Sequence, residues 1–227
     1  MSGIFGAISA SINSEKALKS FNLLNRGKGS DYFEKKDVFL GQVSLGKKAK
    51  VYKCNEYVAV FNGCIYNAKD LCSALKSKGY KFLENSDAEL VVSLFIEYGR
   101  EAPKLLEGMF AFAIWNEKEK SFFACRDALA LKPFFYVSTP HSLVFASELK
   151  SVINYENISD IDLNGLQEVL GLGPSRTPGN AIYKNVCELK GGHYLVFEKG
   201  RVKVERYWQV TATPHIDNFA DTVSTVR

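Results

Sequence analysis

FAFAIWNEKEKSFFAC, residues 110–125, consists of two apolar runs on either side of a short polar segment. The runs at 110–115 and 121–125 are rich in phenylalanine and small apolar residues, which is typical of buried strands. The polar residues at 116–120 connect them over the length of a short turn, so the stretch predicts a β-hairpin. Paired antiparallel strands are therefore the expected building unit of the fold.

The rest of the chain repeats this unit and adds a few helices. Apolar or alternating runs predict three more strands and two more hairpins: 3–11, 38–45, 57–61, 134–137 with 143–146, and 193–197 with 202–208. Helical spacing predicts three helices, at 68–78, 86–99 and 163–170. This mixture is typical of the α+β class, and we expect two stacked, mainly antiparallel sheets flanked by helices, with strand 3–11 at the centre.

The composition is that of a globular chain, and it excludes several classes of function. The 227 residues are 46% hydrophobic, and 29 basic against 25 acidic residues give a net charge of +4. The charges are interspersed and no apolar run is long enough to cross a bilayer, so neither nucleic acid nor a membrane is an expected partner. The five cysteines lack a CxxC or metal-ligand spacing. This pattern favours reduced thiols in the cytoplasm and predicts no metal site.

Ser2 is the first residue that could carry chemistry. Methionine is normally trimmed before a small residue, and removal of Met1 would leave Ser2 with a free α-amine. That amine titrates near pH ~7.7–8 and can accept the proton of the adjacent hydroxyl, so one residue supplies nucleophile and base. The alternative is an ordinary serine behind the initiator methionine.

The dipeptide Asn62-Gly63 follows the predicted strand 57–61 and has two interpretations. As an oxyanion hole, the Asn62 amide and the Gly63 N–H would stabilise a developing alkoxide. As a structural element, Asn-Gly is the strongest short signal for a type I′ hairpin turn. Both interpretations place the dipeptide at the end of a buried strand.

Asp87 lies in a capping box, Ser86-Asp87-Ala88-Glu89, at the start of the second predicted helix. Its carboxylate could bind the ammonium group of an amino-acid substrate. Alternatively, it stabilises the helix, because acidic side chains near an N-terminus complement the macrodipole.

The three histidines of the chain are widely separated and no carboxylate pattern accompanies them. A Ser-His-Asp triad is therefore not indicated.

The order and spacing of these motifs resemble the class II glutamine amidotransferase domain of glutamine-hydrolysing asparagine synthetases. MSGIFG at 1–6 is similar to that family's opening MCGIFG, and Arg26-Gly27 resembles its Arg-Gly-Pro-Asp turn. Further similar segments follow in the same order: FNGCIYN at 61–67, SDAE at 86–89, EYG at 97–99, EGMFAFAIW at 107–115, ACRDALALKP at 124–133, FASELK at 145–150, GHY at 192–194 and RYW at 206–208. The resemblance covers about residues 1–210 and implies the N-terminal-nucleophile hydrolase fold.

The resemblance also implies a chemistry and a set of site residues. In the family, an N-terminal cysteine attacks the side-chain amide of glutamine, ammonia leaves, and water hydrolyses the thioester to glutamate. Ser2 occupies the position of this nucleophile. Asn62 and Gly63 match the oxyanion hole, and Asp87 matches the acidic residue that holds the substrate's α-amine.

Three departures from the family pattern concern this site. Ser2 replaces the cysteine and is a poorer nucleophile. Cys64 stands where the family has a substrate-binding glutamate, and Ser44 aligns with the arginine that pairs with the α-carboxylate of glutamine. Losing such a bidentate partner typically costs about 2–5 kcal/mol. We therefore expect a degenerate site with weak or no glutaminase activity.

The resemblance further implies how the chain is organised and what it works with. Residues 1–210 form the amidotransferase-like domain, and 211–227 are a linker or the start of a missing synthetase domain. No cofactor is expected in this domain, whereas ATP and Mg²⁺ belong to the absent synthetase domain. The expected partners are that ATP-dependent domain, attached or separate, glutamine or another small amide, and a second copy of the chain in a homodimer.

Two other functions remain compatible with the sequence. One is an amidohydrolase with a serine nucleophile, in which Ser44 and Cys64 reshape the pocket for another acyl group. The other is a non-catalytic structural or docking module. A free α-amine on Ser2 favours the hydrolase, whereas retention of Met1 favours the docking module or a degenerate glutaminase.

Overall fold

The computed structural model describes residues 2–25, 27–46, 49–173, 177–212 and 214–226. Met1 and Arg26 lie outside these ranges. In chain order the strands are β1 Gly3–Ser9, β2 Gly29–Lys35, β3 Val38–Ser44, β4 Tyr52–Cys54, β5 Tyr57–Ile65, β6 Gly108–Asn116, β7 Ser121–Arg126, β8 Phe135–Ser138, β9 Ser142–Ala146, β10 Cys187–Glu188, β11 His193–Glu198 and β12 Arg201–Arg206. The α-helices are α1 Ser14–Phe21, α2 Ala68–Ser77, α3 Asp87–Tyr98, α4 Leu149–Glu156, α5 Leu163–Leu172 and α6 Phe219–Val226, and a 3₁₀-helix spans Gly99–Leu105.

The strands form two six-stranded sheets, in the orders β10-β8-β9-β1-β3-β2 and β12-β11-β7-β6-β5-β4. Neighbouring strands pair antiparallel throughout, including β1 with both β3 and β9. The first strand of the chain therefore lies inside its sheet, as expected. All three predicted hairpins are present, as β6–β7, β8–β9 and β11–β12.

The core lies between the two sheets and consists of the inward-facing residues of both. Because side chains alternate along a strand, Ile4 and Ile8 of β1 face the same layer as Val58 and Val60 of β5. The outer faces bury a second and a third apolar cluster. Helices α1 and α4 cover the first sheet, and α2 and α3 cover the second. The architecture is thus the expected α+β sandwich.

A buried charged cluster fixes the loop that follows β7. Arg126 pairs with Glu188 at 2.9 Å and donates hydrogen bonds to the carbonyl oxygens of Lys132, Leu189 and Ala130. The Asp127 carboxylate accepts from the N–H groups of three residues in the same loop. Buried charges are tolerated when they are paired and hydrogen-bonded in this way. The cluster therefore maintains the shape of the loop and has a structural role.

Several elements differ from the sequence-based expectations. The strand predicted at 57–61 continues to Ile65, so Asn62 and Gly63 lie within β5, opposite Ala111 and Phe110, and the hairpin-turn interpretation was wrong. The edge strand β2, the short strands β4 and β10 and the helices α1 and α4 were not predicted. Among the described residues, no helix is long and apolar enough to cross a membrane.

Candidate active site

Polar side chains replace apolar ones at one end of the layer between the sheets. In β5, Asn62 has the same parity as the inward-facing Val58 and Val60, so its side chain enters this layer. In the first sheet, Ser2 has the same parity as the inward-facing Ile4. These two candidate residues therefore approach the same layer from opposite sheets.

Ser147 links the start of β1 to Asn62. Its Oγ accepts a hydrogen bond from the Ile4 N–H at 3.0 Å and lies 3.3 Å from Asn62 Nδ2. Its own N–H donates to the Ile4 carbonyl oxygen at 2.8 Å. Ser147 and Asn62 are each 1% exposed, whereas Ser2, two residues before Ile4, is half-buried. The buried hydroxyl thus holds the strand that carries Ser2 against the strand that carries Asn62.

The Gly63 N–H points towards the open edge of β5. Phe110, which faces Gly63, accepts from the Asp127 N–H, so its polar backbone groups are directed to β7. Phe110 and Gly63 are therefore a non-hydrogen-bonded pair of the antiparallel ladder, and the Gly63 N–H points away from β6. On that side β4 pairs with residues 57–59 and ends before Gly63. The backbone donor is therefore directed away from the neighbouring strand β6.

Side chains take up the N–H groups on either side of Gly63 along this edge. The Phe61 N–H donates to Gln42 Oε1 at 2.9 Å, and the Ile65 N–H donates to Asp87 Oδ2 at 3.3 Å. Gly63 lies between these two anchored donors. Its φ is +146°, and a Cβ added at this position would lie 2.0 Å from the Met109 carbonyl oxygen. Only glycine therefore fits here without strain.

Asp87 begins α3 and is half-buried beside the end of β5. Burial raises the pKa of its carboxyl above the usual range, and the hydrogen bond from the Ile65 N–H opposes this increase. Asp87 also lines a cavity of about 390 Å³ between α2 and α3, together with Lys69, Cys72 and Lys76. A partly desolvated carboxylate is suited to pair with a cationic group, although the two lysines that line this cavity oppose binding of a cation within it.

Glu89 fixes the loop that leads to Asp87. Ser86 Oγ accepts from the Glu89 N–H at 3.2 Å, which is the first half of the predicted capping box. The buried Glu89 carboxylate bends back further than expected and accepts from the N–H groups of Leu83, Glu84 and Asn85 at 2.8, 2.9 and 2.8 Å. The position of Asp87 is therefore set by a buried carboxylate two residues away.

Ser44 and Cys64 lie at the margins of this region. Gly3 pairs with Val43, so extending the register by one residue brings Ser44 opposite Ser2. Ser44 is half-buried, and its hydroxyl donates to the Gly46 carbonyl oxygen at 3.2 Å. Cys64 is exposed on β5, next to Gly63. The structure thus brings Ser2, Ser44 and Asn62 towards one end of the sandwich, with Gly63, Cys64 and Asp87 along the adjoining edge of β5.

Two residues of this region, Gln42 and Ser147, were not singled out from the sequence. Each is the next inward-facing position after a core residue, because Gln42 follows Leu40 by two residues and Ser147 follows Phe145 by two residues. A polar residue in that position is the signal that could have found them. A separate cavity of about 530 Å³ lies beside Ser9 at the other end of β1. It is remote from Ser2, because seven residues of strand span about 23 Å.

Comparison with known proteins gives a consistent result. The sequence profile described as "Glutamine amidotransferase domain" matches residues 1–208. Asparagine synthetase [glutamine-hydrolyzing] 3 of Bacillus subtilis is 42% identical over 180 residues, which are 79% of this chain and 29% of that protein. Asparagine synthetase [glutamine-hydrolyzing] 1 of the same organism is 30% identical over 226 residues, 93% of this chain and 35% of that protein. The chain spans about a third of the length of these relatives.

Solved structures show the same fold at lower identity. The glutamine phosphoribosylpyrophosphate amidotransferase of B. subtilis, complexed with ADP and GMP, has a TM-score of 0.66 at 19% identity. The alignment covers 92% of this chain and 50% of that one. A structure titled as the allosteric regulatory enzyme of purine biosynthesis has a TM-score of 0.67 at 18% identity. The two-sheet sandwich is thus the N-terminal-nucleophile hydrolase fold.

Proposed function

The chain belongs to the class II glutamine amidotransferase family, and we propose that it is the glutaminase-type domain of an asparagine synthetase-like amidotransferase. In such a protein this domain releases ammonia from glutamine, and an ATP-dependent domain uses the ammonia to form an amide. The observation that carries the proposal is the hydrogen-bonded link from the start of β1 through Ser147 to Asn62, beside the outward-pointing Gly63 N–H.

The proposed reaction uses Ser2 as the nucleophile once Met1 has been removed. The α-amine takes the hydroxyl proton as Ser2 Oγ attacks the side-chain carbonyl carbon of glutamine. The tetrahedral oxyanion accepts hydrogen bonds from Asn62 Nδ2 and the Gly63 N–H, which become strongest as the charge develops. The amine then passes the proton to the leaving nitrogen, ammonia departs, and an ester on Ser2 remains. Water, activated by the same amine, hydrolyses this ester to glutamate.

Asp87 is the proposed partner of the substrate's α-amine. Its half-buried carboxylate accepts only a backbone N–H in the contacts described above, so it retains capacity for a cation. Ser44 and Cys64 take the positions where the family has a carboxylate-binding arginine and a glutamate. A serine hydroxyl cannot form the bidentate ion pair that a guanidinium forms with a carboxylate.

We propose, for this reason, that the site is degenerate and hydrolyses glutamine slowly. The weaker nucleophile and the missing ion pair are independent deficits. A loss of about 3 kcal/mol in transition-state binding alone corresponds to more than a hundredfold in rate. The ATP-dependent partner domain would then receive little ammonia from this site.

Two measurements test the proposal together. Mass spectrometry of the N-terminus establishes whether Ser2 is the first residue, and incubation with glutamine measures release of glutamate. We expect a mass without Met1 and a slow release that disappears in Ser2→Ala. Release that persists at the same rate in Ser2→Ala would contradict the assignment of the nucleophile.

A further inference from the structure

The side-chain amide of Asn62 can adopt two orientations, and in one of them not all polar groups around it have a hydrogen-bond partner. With Nδ2 directed to Ser147 Oγ, the buried Oδ1 has no hydrogen-bond partner among the described residues. Ser147 Oγ already accepts from the Ile4 N–H, and its own hydroxyl proton needs an acceptor. In this orientation the Asn62 oxygen and the Ser147 hydroxyl proton both lack a partner among the described residues.

Rotating the Asn62 amide by 180° pairs these two groups with each other and leaves the two N–H groups of Nδ2 without an acceptor among the described residues. The Ser147 hydroxyl then donates to Oδ1, and Nδ2 moves to the position from which Oδ1 was displaced. The two orientations occupy the same volume and are distinguished by their hydrogen bonds. The rotated orientation leaves two N–H groups unpaired, whereas the first leaves the amide oxygen, the hydroxyl proton and one N–H unpaired, so the rotated orientation is favoured.

We infer that Ser147 is a positioning residue that directs Asn62 Nδ2 away from itself and towards the oxyanion. The inference rests on the oxyanion role of Asn62 proposed above. Ser147 can do this because its own position is fixed by two hydrogen bonds to Ile4 and by nearly complete burial. Since Ile4 follows Ser2 by two residues, the same serine sets the nucleophile's strand and the amide donor relative to one another.

The inference can be tested by measuring glutamine hydrolysis. The starting protein is the triple variant Ser2→Cys/Ser44→Arg/Cys64→Glu, in which we expect activity to be restored. In that background Asn62→Ala removes a donor and should lower kcat by about 10²–10³-fold. Ser147→Ala leaves the donor but frees its orientation, so kcat should fall about tenfold at an unchanged KM. Combining the two substitutions should cost no more than Asn62→Ala alone, because both act through one hydrogen bond to the oxyanion.

Ser151 provides a matched control. It is also a buried serine, four residues further on in α4, and its hydroxyl has no partner among the described residues. Ser151→Ala should leave kcat unchanged, and Ser147→Thr, which keeps the hydroxyl, should recover most of the loss. An equal effect of Ser151→Ala and Ser147→Ala, or a change in KM alone, would overturn the inference.

A measurement without turnover separates this inference from the proposed function. The side-chain amide resonance of Asn62, identified by its loss in Asn62→Asp, can be followed in the ¹⁵N-labelled native chain. Ser147→Ala should shift this resonance, and Ser151→Ala should not. If the restored variant releases no glutamate, the proposed function fails, and the resonance still shows whether Ser147 holds the Asn62 amide. An Asn62 resonance that ignores Ser147→Ala overturns the inference even where the enzyme is active.

Discussion

Replacing Ser2 by cysteine alone should leave glutamine hydrolysis slow, because the nucleophile is only one of two deficits. A thiol is a few per cent ionised near neutral pH and is intrinsically more nucleophilic than a hydroxyl, so Ser2→Cys repairs the reactivity. It does not repair binding of the α-carboxylate, since Ser44 would still lie opposite residue 2 with its hydroxyl engaged by the Gly46 carbonyl oxygen.

The second deficit has a sizeable expected magnitude, and the surroundings of the two residues allow its repair. A missing carboxylate partner worth about 3 kcal/mol corresponds to more than a hundredfold in kcat/KM. Ser44 is half-buried and Cys64 is exposed, so Ser44→Arg and Cys64→Glu introduce charges that keep contact with solvent. The triple variant should therefore exceed Ser2→Cys by at least a hundredfold in kcat/KM.

The assay is release of glutamate from glutamine, preceded by a mass measurement of the N-terminus for every variant. Retained Met1 would convert the α-amine into an amide, which is not a base, and add about 3.8 Å of chain at the site. Only samples in which Met1 has been removed, so that residue 2 has a free α-amine, are compared. Rapid hydrolysis by the unmodified chain, or full recovery with Ser2→Cys alone, would refute the assignment of Ser44 to the arginine's position.

Three further predictions concern stability. Gly63→Ala should lower the free energy of unfolding by about 2–4 kcal/mol, because the added Cβ would collide with a backbone oxygen of β6. Gly79→Ala, which also has a positive φ but lies in open space, should lower it by less. Equal losses for the two variants in denaturant titrations would contradict this reasoning. Glu188→Gln should cost about 3–5 kcal/mol, since it removes the carboxylate that pairs with the buried Arg126, and a neutral effect in the same titrations would refute it. Burial raises the pKa of Asp87 in the folded state, so its contribution to stability is present below an unfolded pKa of about 3.9 and is lost as pH rises through the higher folded value. The Tm of Asp87→Asn relative to the native chain should therefore increase from pH ~4 upwards, and a constant difference would contradict the shift.

The sequence predicted the elements whose periodicity is strong over many residues. The hairpin β6–β7 and the central strand β1 are continuous apolar runs, and burial on both faces is what such runs require. β2 was missed because it is an edge strand, in which polar residues such as Asp31 and Glu34 are tolerated.

Asn62-Gly63 shows why the site was harder to predict than the fold. The dipeptide has the strongest local preference for a turn, yet pairing with Ala111 and Phe110 keeps it in a strand. Local propensity could not reveal this, because the partner strand lies far away in the chain. The contact of Ser147 with Asn62 likewise depends on how the strands are paired, which brings the inward-facing positions after β9 and along β5 to the same end of the core. A local sequence pattern does not contain this information.

The most direct test of the proposed site is a crystal structure of the triple variant after reaction with a diazoketone analogue of glutamine, which traps the nucleophile as a covalent adduct. We expect an adduct on residue 2, with the carbonyl oxygen of the bound analogue about 2.7–3.1 Å from both Asn62 Nδ2 and the Gly63 nitrogen. The α-amine of the bound glutamine analogue should contact Asp87. An adduct on another residue, or a carbonyl oxygen directed away from Asn62 and Gly63, would contradict the proposed nucleophile and oxyanion hole.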